Sequence, residues 1–228
     1  MFLSEIFTSL QGEGRYAGHP SLFVRTSGCN LRCTWCDTPH TSWRSDGRAV
    51  DVESVLAETE VWRDVEHAVV TGGEPMLHPD LPRLVDGLAE RGHLVTIETA
   101  ATRFIEGLRP HLFSLSPKLS NSRPGPQHRA EQRLHDGNNR HDLIPRFLDA
   151  GCQVQVKYVV QGPGDLPEIL EHVGRWRIPR NLVYLMPEGV SREVLMERSR
   201  VVAGICRDEG FRFTGRLHIE LWGNTRGT

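Results

Sequence analysis

The sequence predicts an α/β protein built on a mostly parallel sheet, and three observations lead to it. Short, uninterrupted apolar runs recur along the chain, as strands covered on both faces require. Stretches with helical apolar spacing fall between them, and strand–helix alternation is the pattern of parallel strands joined by crossover helices. About six or seven such βα units can be counted, fewer than the eight that close a barrel.

The strands are expected, in order, over residues 2–7, 22–26, 68–71, 94–98, 112–115, 154–160, 182–186 and 211–219. Residues 68–71 read Ala-Val-Val-Thr, continuous rather than alternating, which suits a central parallel strand. One helix is expected over residues 52–62. Leu81, Leu84, Val85, Leu88 and Ala89 share one face of another, opening near Pro79 and ending at Gly92. Leu166, Ile169, Leu170 and Val173 repeat the pattern. So do Val194, Leu195, Val201, Val202 and Ile205, with Ser191 as the expected N-cap. Residues 119–142 are polar and rich in Pro, Gly, His, Arg and Asn, so a long loop or partly ordered excursion is expected there in place of a regular helix. With residues 41–66 it is read as an insertion in a single domain spanning 1–228.

Composition narrows the class. The 228 residues carry 27 Lys plus Arg against 29 Asp plus Glu, a net charge of −2, which gives no basic field for nucleic acid or an anionic membrane. No apolar run approaches the roughly 20 residues needed to span a bilayer, and no secretory leader follows Met1, so a soluble, cytoplasmic protein is expected. The five cysteines are odd in number, and three fall within residues 29–36. A disulfide-stapled secreted domain would spread an even number along the chain.

Cys29, Cys33 and Cys36 have the spacing C-x3-C-x2-C, and Gly28 places them on a loop after a strand. Three thiolates so close can converge on one soft metal centre. Spacing alone leaves two such centres open: zinc held by the three cysteines and His40, or an iron–sulfur cluster with one iron left without a protein ligand, shielded from water by Trp35. Cys152 and Cys206 read as small buried hydrophobes.

The same spacing is the cluster signature of the radical S-adenosylmethionine enzymes, and Thr71-Gly72-Gly73-Glu74-Pro75 resembles their glycine-rich strand-end motif. Glycines there remove side chains where a ligand could meet the backbone. Residues 5–14, Glu-Ile-Phe-Thr-Ser-Leu-Gln-Gly-Glu-Gly, are similar to the opening of the 7-carboxy-7-deazaguanine synthase family of the queuosine-type 7-deazapurine pathway. So are Phe23-Val24-Arg25, Cys36-Asp37-Thr38, Ser116-Pro117-Lys118 and the segment from Leu217-His218 to Gly223.

That resemblance implies a modified, incomplete TIM-like barrel of about six parallel βα units with an extra N-terminal strand. It implies conversion of 6-carboxy-5,6,7,8-tetrahydropterin to 7-carboxy-7-deazaguanine with release of ammonia. Reductive cleavage of S-adenosylmethionine would give a 5′-deoxyadenosyl radical that abstracts hydrogen from the pterin. Cys29, Cys33 and Cys36 would hold a 4Fe-4S cluster, and Thr38 a Mg2+ ion shared with the substrate carboxylate. S-adenosylmethionine would meet Trp35, Asp37, Gly73, Ser116, Pro117 and Lys118, with Glu98 accepting from its ribose and Met186, Pro187 and Glu188 at a further strand end. The pterin would meet Leu10, Gln11, Gly12, Glu13, Arg25, Thr71 and His218, with Arg25 as a fork for its carboxylate. A homodimer and a flavodoxin- or ferredoxin-type reductant are expected partners. Two alternatives stand beside this: a radical enzyme that activates another protein, and a zinc-bound Cys3His structural module.

Overall fold

Nine strands form one sheet in the computed structural model, which describes residues 1–228. They are β1 (Phe2–Leu10), β2 (Pro20–Thr26), β3 (Arg48–Ala49), β4 (His67–Gly72), β5 (Leu94–Thr99), β6 (Leu112–Leu115), β7 (Gln153–Val160), β8 (Val183–Pro187) and β9 (Arg212–Phe213). Their order is β3-β1-β2-β4-β5-β6-β7-β8-β9. β1 runs antiparallel to both β2 and β3, and every pairing from β2 to β9 is parallel. The two-residue strands β3 and β9 are the edges, so the sheet stays open, as the count of βα units implied.

The eight helices are α1 (Pro39–Ser42), α2 (Val52–Thr59), α3 (Leu81–Glu90), α4 (Arg129–Asn138), α5 (Ile144–Leu148), α6 (Leu166–Arg175), α7 (Arg192–Glu209) and α8 (Leu217–Trp222). Asp51 caps α2 by accepting the Ser54 N–H at 2.7 Å, and Ser191 caps α7 by accepting from Val194 at 3.4 Å. Gly210 ends α7 with φ of +69°, the left-handed conformation that glycine adopts without a Cβ clash.

Side-chain alternation decides what each face of the sheet does. Leu22 and Val24, Ala68 and Val70, Val95 and Ile97, Phe113 and Leu115, Val156 and Tyr158, and Val183 and Leu185 all join one 34-residue apolar core. The residues between them point the other way. Arg25, Thr71, Glu98, Ser114, Lys157 and Met186 line a chamber inside the curve of the sheet. A sheet with too few strands to fill its own interior leaves that face for polar groups.

Three expectations are corrected and one is refined. Residues 119–142 are not a loop: they hold the ten-residue α4, whose one buried residue is His135, so no apolar stripe announced it. Residues 211–219 are not one strand. β9 ends at Phe213, and the chain turns through Gly215 into α8, which carries His218. Residues 52–62 are helical throughout, but α2 tightens to a 3-10 turn at Glu60–Trp62. On α7, Leu195 and Val202 are buried as expected, whereas Val194 and Val201 are 37% and 42% exposed.

Phe113 is fully buried and meets the Phe147 ring edge-on, centroids 5.2 Å apart. Phe113→Ala is therefore expected to cost about 3–5 kcal/mol of stability through lost transfer energy and a residual cavity. A lowered urea midpoint with an unchanged slope checks it.

Candidate active site

The strand ends meet the cysteine loop through three glycines. Gly28 turns the chain out of β2 with φ of +99°; its N–H donates to Thr41 O at 2.9 Å and its carbonyl accepts from Glu74 N at 2.9 Å. A Cβ on Gly73 would lie 2.2 Å from Gly28 O and 2.7 Å from Thr41 O, and one on Gly72 would lie 2.1 Å from Thr26 O. These glycines let the end of β4 abut the cysteine loop itself, a role in addition to the ligand approach expected for them. Glu74, fully buried, ties the same corner by accepting from Met76 N (3.0 Å), Ala100 N (2.8 Å) and Thr99 Oγ1 (2.7 Å).

Cys29, Cys33 and Cys36 are free thiols on one wall of the chamber, packed beside Leu31, Trp35 and Ala100. Leu31 N–H donates to Cys29 Sγ at 3.3 Å, and Cys36 Sγ lies 3.2 Å from Ser42 Oγ. Burial pushes the Cys29 thiol up to about 11 and the Cys33 thiol up to about 12. Thiolates there need a positive centre beside them, so three soft donors on one loop fit a cluster of irons. His40 lines the same chamber, but its Nε2 faces Glu5 Oε1 at 3.9 Å, and no group of three or more His, Cys, Asp or Glu side chains gathers round a single-ion position. The alternative Cys3His zinc set is not assembled.

The opposite wall is a chain of charges. Glu98 accepts from Gln11 Nε2 at 3.3 Å and from Thr71 Oγ1 at 2.9 Å, with Lys157 Nζ 3.8 Å away. Lys157 also donates to Glu13, whose second oxygen accepts from Arg216 Nε at 3.2 Å. Arg216 reaches on to Asp37 and, through Nη1, to Gly189 O at 2.8 Å. Burial alone would raise the Glu13 carboxyl, but Lys157 and Arg216 outweigh it and hold it well below the usual range. Asp37 is lowered against its own burial by Arg216.

Sequence reasoning missed Lys157 and Arg216, both 4% exposed. A lysine inside Val-Gln-Val-Lys-Tyr-Val-Val was the available signal, since a buried charge must find a partner. Arg216 was hidden by reading 211–219 as a strand.

Other expected residues divide. Arg25 donates Nε–H to Glu5 Oε1 at 2.7 Å and stacks its guanidinium carbon 5.5 Å from the Phe7 centroid; its two Nη atoms have no protein partner and border the chamber. The other Glu5 oxygen accepts from Arg226 at 3.0 Å, in a C-terminal segment, residues 224–228, that also lines the chamber. His218 reaches the chamber from α8 rather than from a strand, its ring lying over Gly12 so closely that a Cβ there would fall 1.9 Å from Nδ1. Thr38 occupies the N-cap position of α1 without using its side chain as a cap, and its hydroxyl is 3.9 Å from Cys36 Sγ. Lys118 donates to Ser116 Oγ at 2.7 Å and lies 5.5 Å from the Trp35 centroid. Leu10 and Met186 line the chamber; Pro117 and Pro187 do not, and Glu188 turns away to pair with Arg198.

An open parallel sheet whose strand ends hold three free thiols against a polar chamber of about 430 Å³ defines an enzyme that seats a soft metal centre beside a small substrate. The family model described as the radical SAM superfamily matches residues 23–175. A 7-carboxy-7-deazaguanine synthase of Halobacterium salinarum is 40% identical over 99% of this chain and 92% of its own length. One from Rhodopirellula baltica is 39% identical over 100% of this chain and 89% of its own. The crystal structure of QueE from Escherichia coli superposes with a TM-score of 0.72, covering 95% of this chain and 94% of that one, at 24% identity. The chain belongs to the radical SAM superfamily and, within it, to the 7-carboxy-7-deazaguanine synthase family.

Lys157→Met would leave Glu13 with one cation and Glu98 with none. Removing one partner from a buried pair costs about 3–5 kcal/mol, and a loss of unfolding free energy of that size, seen as a lower denaturant midpoint, is expected. A carboxyl whose folded pKa lies below its unfolded value of 4.5 contributes fully above that pH and loses its contribution as pH falls beneath it. Wild-type stability should therefore drop below pH 4.5 more steeply than that of Lys157→Met, a difference that thermal melts across pH 3–6 would show.

Proposed function

We propose that the chain converts 6-carboxy-5,6,7,8-tetrahydropterin into 7-carboxy-7-deazaguanine with release of ammonia. The observation that carries this reading is one chamber shared by three free thiols on one wall and the Gln11, Glu13, Glu98 and Arg25 group on the other. Bound there, a 4Fe-4S cluster and S-adenosylmethionine supply a carbon-centred radical able to take hydrogen from an unactivated carbon, which no side chain can do.

Cys29, Cys33 and Cys36 hold the cluster, and Trp35 with Leu31 and Ala100 keeps water from it. Glu13, kept ionised by Lys157 and Arg216, is acceptor-only and suits the amino and ring N–H groups along the pterin edge. Gln11 is fixed for the same edge by its bond to Glu98. The free Nη atoms of Arg25, steadied by Glu5 and Phe7, meet the substrate carboxylate. Glu98 has lone pairs left after Gln11 and Thr71, enough to accept from a ribose hydroxyl. Ser116 and Lys118, with Gly73, face the cofactor side, and His218 closes the substrate side over Gly12. Thr38, whose hydroxyl is not spent on a cap, holds a Mg2+ ion with the substrate carboxylate and several waters. The enzyme takes electrons from a flavodoxin- or ferredoxin-type donor and works as a cytoplasmic homodimer.

Protein reconstituted anaerobically with iron and sulfide should turn brown and, given S-adenosylmethionine, a reductant and the carboxytetrahydropterin, release the deazaguanine product and ammonia. Colourless protein carrying stoichiometric zinc would overturn the reading. Arg25→Ala should raise KM for the pterin about 10- to 100-fold, the worth of a charge-assisted carboxylate contact, with cluster content unchanged. Thr38→Ala should lose Mg2+ stimulation at full iron content; retained stimulation would remove Thr38 from the metal site.

A further inference from the structure

The loop that carries the three cysteines has little backbone structure of its own. Within residues 29–36 four N–H groups find acceptors: Leu31 on Cys29 Sγ, Cys36 on Cys33 O, Arg32 on His135 Nδ1 at 3.2 Å and Thr34 on Ser122 O at 2.8 Å. The last two acceptors lie in the polar segment between Leu119 and Asn138. The same segment takes the Trp35 indole N–H on Asn121 O at 3.1 Å and the Asn30 amide on Asn138 Oδ1 at 3.4 Å. Trp43, which donates to Cys33 O at 3.0 Å, lies edge-on to His128, centroids 5.4 Å apart.

His135 is the pivot. It is 2% exposed, the only buried residue of α4. An amide N–H can only donate, so Nδ1 must accept from Arg32 and the ring proton resides on Nε2. Nε2–H then donates to Ser122 Oγ at 3.1 Å, and the Ser122 hydroxyl donates to Leu119 O at 2.6 Å. One directed relay thus runs from the strand-end segment after β6, through a fully buried serine and a buried imidazole, to the middle of the cysteine loop.

We propose that residues 119–138 are a clamp on the cysteine loop and that His135 is its positioning residue, fixing the backbone between Cys29 and Cys33 so that the thiols are preorganised for a cluster. The proposal rests on Cys29, Cys33 and Cys36 being cluster ligands. A polar clamp suits this place: the loop's unpaired N–H groups need acceptors that an apolar helix face could not offer.

The test compares His135→Phe, His135→Gln and His135→Asn by two readouts: amide hydrogen exchange at Arg32 in iron-free protein under anaerobic conditions, and the rate at which reconstituted protein loses its visible absorbance to a chelator. Phe removes both relay bonds; Gln places a donor toward Ser122 and none of the acceptor Arg32 needs. Asn puts its Oδ1 where Nδ1 stood. Phe and Gln should each speed Arg32 exchange and cluster loss roughly five- to tenfold, the effect of losing one buried hydrogen bond, and Asn should restore both toward wild type. Wild-type rates in the Gln variant, or no rescue by Asn, would overturn the proposal, and the Gln–Asn pair decides it even where Phe does not fold. A wild-type chain that takes up no iron would overturn the cluster reading instead, while the exchange readout, which needs no iron, still decides whether His135 holds the loop.

Discussion

One buried carboxylate joins parts of the chain that are far apart in sequence. Glu13 comes from the loop after β1, Lys157 from β7, Arg216 from the turn before α8, and through Arg216 the network reaches Asp37 beside the cysteines. Isolated burial of any of these charges would be prohibitive; together each satisfies another. Replacing such a set by apolar residues often leaves stability unchanged or raises it, so stability alone does not account for keeping it. What the charges give here is an ionised acceptor at a fixed point in the chamber, with the N-terminal loop, the centre of the sheet and the C-terminal segment all committed to that point.

The sheet explains why such a site exists at this place. In the central strands the residues of the core face are mostly apolar and buried, and Arg25, Thr71, Glu98, Ser114, Lys157 and Met186 face inward beside Phe23 and Val159. A complete barrel would fill that interior with branched apolar side chains in layers. Six full parallel strands cannot, and the space that remains is a chamber of about 430 Å³, within the range of small-molecule sites.

Much of this was legible in the chain. The apolar runs gave the parallel strands β2 and β4 to β8 to within a residue or two because both the core face and the chamber face are covered, and three cysteines in eight residues announced the soft-metal wall. What was not legible shares one cause: segments whose buried face is polar. α4 buries a histidine, not a leucine, so its periodicity is invisible to an apolar count. Lys157 sits on a strand that otherwise reads as core, and Arg216 occupies a turn inside a segment read as one strand. Hydrophobic patterning detects surfaces hidden from water by transfer energy; it is silent where hydrogen bonds and ion pairs do the hiding. The three expected contacts that fell outside the chamber, Pro117, Pro187 and Glu188, were placed by neighbourhood in sequence; Pro187 alternates away from Met186 on β8, and Glu188, past the strand end, pairs with Arg198 instead.

The open edge has an evolutionary consequence. Because β3 and β9 do not meet, part of the chamber wall is made by residues 224–228, fastened through Arg226 to Glu5 and Asp46 rather than woven into the sheet. A wall held by a few surface ion pairs can be shortened, lengthened or rewritten without disturbing strand register or the cysteine loop. The scaffold thus has two kinds of wall: the cysteine side is locked by glycines and backbone contacts, whereas the C-terminal side rests on a few ion pairs.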